Sequence, residues 1–126
     1  MREIKFKAFF RGEMLYNAFI WNGVLYWDDA NSKGHHSLVY TPDPIPWLQY
    51  TGMKDKNGVE IYEGDILAEM QNANQISMAA VYWGYEQLGW MQKCTNNSYD
   101  CSLEPDIGDY DSIIIGNIYE NPELIK

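Results

Sequence analysis

Few residues in this 126-residue chain have the types and spacing that chemistry requires. The two cysteines, Cys94 and Cys101, lie close in sequence, and the two histidines, His35 and His36, are adjacent. Neighbouring residues of an extended segment point to opposite faces, so His35 and His36 are poorly placed to bind one zinc ion. We therefore predict no metal site, and no disulfide in a reducing cytoplasm.

Carboxylates are the other candidate chemical groups. The acidic segment from Glu104 to Asp111 offers oxygen ligands for a hard cation but lacks the spacing of an EF-hand, which favours a solvated loop. Glu63 and Asp65 form a pair that acid–base chemistry can use, although they flank Gly64, where Asp65 is expected to accept backbone hydrogen bonds in an Asx-type turn. The chain has no nucleophile-elbow or phosphate-loop motif. The sequence thus predicts no catalytic residues, no cofactor and no enzyme.

Glycine turns shape the stretch from Leu48 to Leu67, around which the rest of the chain is organised. Asn57-Gly58 predicts a type I′ hairpin turn, in which both residues have positive φ, and Asn22-Gly23 predicts another between apolar arms. Each of these turns needs a glycine, because L residues with a Cβ rarely adopt positive φ. The predicted structural turns are centred on Gly23, Gly52, Gly58 and Gly64.

The central stretch has two interpretations. In the first it is a structural frame, in which its aspartates cap turns and its tyrosines fill the core. In the second it is a rigid surface loop, located where the two halves of the chain meet, that contacts a partner through charges of both signs. The candidate binding residues are Tyr50, Lys54, Asp55, Lys56, Tyr62, Glu63 and Asp65.

Composition limits the function classes. The formal net charge is −9, from 9 basic and 18 acidic residues, which disfavours binding to nucleic-acid phosphates but leaves room for a local basic patch. Aromatic residues make up 15% of the chain, and they favour strands and the cores of interfaces. We predict a non-catalytic protein-interaction module. The alternative is a small-barrel module that binds single-stranded nucleic acid by stacking bases on exposed rings. The basic clusters available for it are Lys5, Lys7, Arg11, Lys54 and Lys56.

Alternating apolar residues predict a chain of short strands and turns. We expect residues 28–36 to be polar and irregular, residues 84–87 to form a turn from which Leu88 begins the next strand, and residues 93–111 to form a long loop. Pro42, Pro44 and Pro46 predict a stiff connector, because proline cannot donate to a sheet. Residues 1–46 would then form an amino-terminal β meander with this connector, and residues 47–126 a second subdomain.

Three blocks of sequence carry a resemblance to a known family. The segments Arg2–Phe9, Leu48–Ile66 and Ile115–Leu124, in this order, resemble the YopX-like proteins of bacteriophages and prophages. The resemblance implies a mostly β protein whose residues 47–126 form a small β-barrel of the SH3 type. It implies no assigned reaction. The expected partner is a host or phage protein, or a second copy of the chain.

The compartment follows from what the sequence lacks. No segment approaches the ~20 apolar residues of a membrane helix, and charged residues interrupt the apolar ones near Met1. We therefore expect no membrane partner and a location in the host bacterial cytoplasm.

Overall fold

Short antiparallel strands make up most of this chain. The computed structural model describes residues 4–29, 34–39, 46–71, 74–94, 100–102, 106–107 and 110–125. Within these ranges the chain forms twelve strands and a single-turn 3₁₀ helix, Pro122–Ile125, and no other helix. None of the described residues belong to a helix long and apolar enough to cross a bilayer. The predicted mostly β fold class is confirmed.

The chain divides into two compact units, Met1–Tyr50 and Thr51–Lys126. The strands of the first unit are β1 (Phe6–Phe10), β2 (Glu13–Trp21), β3 (Val24–Asp28), β4 (His35–Val39) and the first half of β5 (Trp47–Lys54). They form a sheet in the order β4-β3-β2-β1-β5, so β1 to β4 are a meander of sequential neighbours. The boundary between the units follows Tyr50 and therefore lies within β5, beyond the proline connector.

The second unit contains the rest of β5 and seven further strands. These are β6 (Glu60–Tyr62), β7 (Asp65–Gln71), β8 (Asn74–Gly84), β9 (Gly89–Cys94), β10 (Asp100–Ser102), β11 (Asp106–Ile107) and β12 (Tyr110–Asn117). Strand β6 is next to β5, and the other six form a sheet in the order β10-β9-β8-β7-β12-β11. The SH3-type barrel expected for residues 47–126 stays a prediction.

Each unit has its own apolar core, built from the inward positions of its strands. In the first unit the buried core residues are Ala8, Leu15, Ala18 and Leu25, against which Phe10, Trp27 and Trp47 pack. In the second unit they are Ile61, Leu67, Val81 and Trp90, against which Met53, Trp83 and Ile114 pack. The period-2 pattern places these residues on one face of their strands, and burial of that face is what fixes the strand register.

Two of the predicted glycine turns, those at Gly52 and Gly58, differ from the prediction, whereas the turn at Gly23 agrees with it. Asn22 and Gly23 have φ values of 51° and 76°, which fits the type I′ turn between β2 and β3. Gly58 has a φ of 80°, but among the described non-glycine residues positive φ occurs only at Arg11, Asn17, Asn22 and Leu88. Asn57 therefore has negative φ, and the turn is not type I′. Gly52, with a φ of 85°, lies inside β5 rather than at the end of a strand.

Two segments expected to be irregular contain strands. His35 and His36 belong to β4 and pair with Asp28 and Trp27 of β3, whereas residues 30–33 lie outside the described residues. The predicted loop at 93–111 includes β10, β11 and the start of β12. Polar composition wrongly predicts loops here, because edge strands and their ends tolerate polar side chains that a central strand does not. The connector residues 42–45 are outside the described ranges.

Candidate functional site

The central turn, residues 54–65, is held by the side chain of Asp55. Its Oδ1 accepts hydrogen bonds from the backbone N–H groups of Asn57 and Val59, both at 2.9 Å. Its Oδ2 accepts a third from the N–H of Ile114 in β12, at 3.0 Å. A backbone hydrogen bond from Lys56 to the carbonyl of Ser112 joins the same two segments. Asp55 thus anchors the turn to β12.

The other end of the central turn is fixed in a similar way. Asp65 Oδ2 accepts a hydrogen bond of 2.8 Å from the backbone N–H of Tyr62, three residues before it, so the bond is not the Asx type expected. Gly64, with a φ of 87°, donates its N–H to the carbonyl of Val81 and accepts from the N–H of Ile118. The backbone of this turn is therefore bonded to β8 and to the residue that follows β12.

The structure divides the predicted binding residues into three groups by their burial. Tyr50, Tyr62, Asp55 and Asp65 are buried, so they are not presented to a partner as the contact hypothesis requires. Lys54 and Lys56 are exposed. Glu63 is half-buried, and its charge adds to the effect of burial in raising the pKa of Tyr119. The central turn thus has a buried part, which includes both aspartates, and an exposed part, which includes both lysines.

The turn between β8 and β9 carries the most exposed apolar side chains among the described residues. Tyr85 is 83% exposed and Leu88 is 78% exposed. Leu88 also has a φ of 53°, in the left-handed region that glycine and asparagine usually occupy. The sequence pattern does not reveal this site, because leucine is not a turn-forming residue and Leu88 looks like the start of β9.

A second exposed apolar surface lies on the first unit, and we call it the aromatic face. Its members on β2 and β3 are Tyr16, Phe19, Trp21 and Tyr26. Phe19 pairs with Tyr26 across the two strands, and their rings stack with centroids 5.0 Å apart. Trp21 is 71% exposed and Phe19 is 54% exposed. The sequence showed the aromatic excess but not which rings remain outside the core.

Polar residues border the aromatic face. His35 Nδ1 lies 2.5 Å from Asp28 Oδ1, and Asn17 Nδ2 donates to Asp28 Oδ2 at 3.2 Å. The hydrogen bond with His35 is the main reason that the pKa of Asp28 is lowered, against the opposing effect of burial. His36 instead bonds to Asp29 at 2.6 Å, so the two histidines do face different partners.

Within the part of the chain that the structure describes, no three His, Cys, Asp or Glu residues are grouped to hold a metal ion. Much of the acidic segment 104–111 lies outside that part, and so do residues 95–99 between the cysteines. In the backbone register, Cys101 pairs with Gln92 and Cys94 pairs with Ala79.

Charge is distributed unequally between the two units. Residues 1–50 contain five basic and five acidic residues, so their net charge is zero. Residues 51–126 contain four basic and thirteen acidic residues, so they carry the whole net charge of −9. The exposed aromatic face thus belongs to a neutral unit, and the exposed Tyr85 and Leu88 to an acidic one.

The fold and these surfaces define a small all-β protein of two units, with a hydrogen-bonded central turn and exposed apolar side chains on each unit. The family described as YopX protein matches residues 9–126. The chain belongs to the YopX protein family, a family associated with phages and prophages.

Comparison with solved structures agrees with this fold. The crystal structure of protein EF1440 from Enterococcus faecalis is similar over 100% of both chains, with 26% sequence identity and a TM-score of 0.65. No curated protein matches the chain.

Proposed function

We propose that this protein is a non-catalytic protein-interaction module and that the β8–β9 turn is its main contact. One observation carries the proposal: Leu88 is exposed and lies in a left-handed backbone conformation, beside the exposed Tyr85. A left-handed conformation costs an L residue about 1–2 kcal/mol, and an exposed leucine gains no burial energy to offset that cost. Fold stability therefore gives no reason for leucine at this position. Contact with a partner does.

The base of the turn is also packed, which favours binding. Gly84 is buried, and a Cβ at this position would approach Met91 Cγ to 2.6 Å, so a larger residue would have to displace Met91. Beneath the turn, Trp83 and Trp90 pair across the strands with ring centroids 5.1 Å apart. A contact surface that is already ordered loses less conformational entropy when it binds.

Charge indicates the kind of partner. The exposed Glu86 lies between Tyr85 and Leu88, and the unit that carries them has a net charge of −9. The complementary surface is an apolar pocket with basic residues around it. The partner would be a host or phage protein in the bacterial cytoplasm. The SH3-type barrel implied for residues 47–126 remains part of this proposal, because such a barrel would position the β8–β9 turn. Function commonly resides on loops that a rigid scaffold positions.

The test compares capture and stability in the same variants. Leu88→Gly and Leu88→Asn remove the apolar side chain while suiting the left-handed backbone, so we expect the melting temperature to stay equal or to rise. Proteins captured from the host by the tagged wild-type chain should be depleted with both variants and with Tyr85→Ala. Val59→Ala, at another exposed apolar residue of the same unit, is the matched control and should retain them. Unchanged capture by the Leu88 and Tyr85 variants would contradict the proposal.

Binding of single-stranded nucleic acid is the second candidate function. It is favoured by the charge distribution, since the aromatic face belongs to the unit with no net charge. The overall charge of −9, which argues against phosphate binding, belongs to the other unit.

A further inference from the structure

The aromatic face presents four rings on one side of a sheet. Residues Phe19 and Trp21 are two apart on β2 and so point to the same side, and Phe19 is directly opposite Tyr26. A register shift between Tyr16 and Phe19, where Asn17 has a φ of 50°, places Tyr16 opposite Asp28. Asp28 is two residues from Tyr26 on β3, so both point to the same side of the sheet. Tyr16, which is opposite Asp28, therefore lies on this side as well. The bulge at Asn17 thus keeps all four rings together.

Core packing occupies the opposite side of these strands. Ala18 on β2 and Leu25 on β3 are buried in the core of the first unit, and Trp27 packs against it. Exposed rings on the other side therefore contribute little to that core. Large exposed apolar patches on soluble proteins mark sites of interaction.

A lysine accompanies the rings. Lys7 Nζ lies 5.0 Å from the centroid of the Tyr16 ring, on the edge of the face nearest β1. Arg11, at the turn after β1, lies 4.8 Å from the centroid of the Phe10 ring, which packs against the core on the other side of the sheet, so its charge is not part of the aromatic face. Among the described residues, the carboxylate on this side is that of Asp28, which is bonded to His35 and Asn17. Rings with an adjacent cation, in a unit with no net charge, suit a ligand that combines flat bases with phosphates.

We infer that the aromatic face binds single-stranded DNA, with bases stacked on Phe19 and Trp21 and a phosphate near Lys7. Stacking needs only the face of a base, so this binding should show little sequence preference. We choose DNA over RNA because the polar groups beside the rings are bonded to one another rather than set to recognise a 2′-hydroxyl. The inference develops the second candidate function and does not depend on the β8–β9 turn.

The experiment uses the full chain and a labelled oligothymidylate of about 12 nucleotides, which is within the ~4–16 nucleotides that a single OB fold occupies. Binding is followed by anisotropy and by quenching of tryptophan fluorescence. Replacing Phe19 or Trp21 with alanine should weaken affinity by about 5- to 150-fold, which corresponds to the loss of one stacked base. Lys7→Ala should reduce the slope of log affinity against log salt by about 0.7.

Val59→Ala is the matched control, because it truncates an exposed apolar side chain of the acidic unit that belongs to neither proposed contact. Its affinity for the oligothymidylate should equal that of the wild type, and thermal melts should show that every variant folds. Absence of binding to oligothymidylate would overturn the inference. It would also be overturned if the Trp21 and Phe19 variants bound the oligothymidylate as tightly as the wild type does. Tighter binding of oligouridylate would overturn the choice of DNA. A dimer that dissociates on Trp21→Ala, with no oligonucleotide bound, would assign the face to a second copy and also overturn it.

Discussion

The carboxylate of Asp55 accepts backbone hydrogen bonds from two segments that are far apart in sequence, the central turn and β12. Deleting it leaves three N–H groups without their acceptor in a region where Asp55 itself is buried. An unsatisfied buried donor costs about 1–3 kcal/mol. We therefore expect Asp55→Ala to lower the free energy of unfolding by about 3 kcal/mol or more, as measured by urea denaturation.

Two further variants give this prediction its controls. Asp55→Asn keeps one acceptor oxygen, so its loss of stability should lie between those of the wild type and Asp55→Ala. Replacing the exposed Glu86 with alanine should change stability by no more than about 0.5 kcal/mol. If Asp55→Ala is as mild as the Glu86 variant, Asp55 does not hold the turn.

The pair formed by Asp28 and His35 leads to a prediction about pH. Because His35 lowers the pKa of Asp28, the pair stabilises the folded chain at pH values above the ordinary pKa of an aspartate, and this contribution is lost as pH falls through the lowered pKa. We expect His35→Ala to raise the pKa of Asp28, as followed by carboxyl NMR titration. His36→Ala should have a smaller effect, since His36 bonds to Asp29. An unchanged Asp28 pKa in the His35 variant would contradict the assignment.

At this scale the sequence predicted local roles better than distant ones. The Asp55 bond to Asn57 is a short-range Asx contact, which the turn composition indicates. Its bond to Ile114 spans 59 residues and depends on where β12 packs, which no local pattern contains. The sequence likewise leaves the burial of Tyr50 and Tyr62 open, because their burial depends on where their strands pack.

Among the elements, the turns at Gly23 and Gly58 offer a direct test of backbone conformation. Both glycines have positive φ, at 76° and 80°, and a Cβ at either position would meet no neighbouring atom within 4 Å. Any loss of stability on Gly23→Val or Gly58→Val therefore reports backbone strain rather than a clash. We expect each loss to exceed about 1 kcal/mol in thermal melts, because a β-branched residue is an outlier at positive φ.

Gly89 provides the control for these glycine variants. It lies in β9 without positive φ, and its Cβ would have only ordinary contact, at 3.9 Å from the carbonyl oxygen of Gln87. Gly89→Val should be milder than either turn variant. Equal effects at all three positions would indicate that glycine is needed for some reason other than φ.

Sequence patterns located most strands but not all of their ends. The Asn22-Gly23 turn was predictable because both residues favour positive φ and apolar arms flank them. The start of β4 was not, because His35 and His36 become strand residues through pairing with Asp28 and Trp27. The apolar character of Leu88 predicts a strand residue, because apolar character alone does not reveal a left-handed backbone.

For the whole molecule, the unequal distribution of charge affects how the exposed lysines of the central turn should behave. Lys54 and Lys56 are among only four basic residues in the acidic unit. Reversing both to glutamate should change the free energy of unfolding by no more than about 0.5 kcal/mol per residue, because both side chains are exposed. If the reversed protein melts normally, keeps its oligomeric state and captures the same proteins, the central turn is only a frame. Loss of a captured protein would make these lysines part of the contact.

The most direct test of the interaction proposal is site-specific photo-crosslinking in the bacterial host, with a photoreactive phenylalanine in place of Tyr85 and, as the control, in place of Val59. We predict a covalent adduct with a host or phage protein from position 85, none from position 59, and loss of the adduct when Leu88→Asn is added. The captured peptide should come from an apolar pocket bordered by lysine or arginine. No adduct from position 85, an adduct with a second copy of the chain, or an adduct unaffected by Leu88→Asn would contradict the proposal.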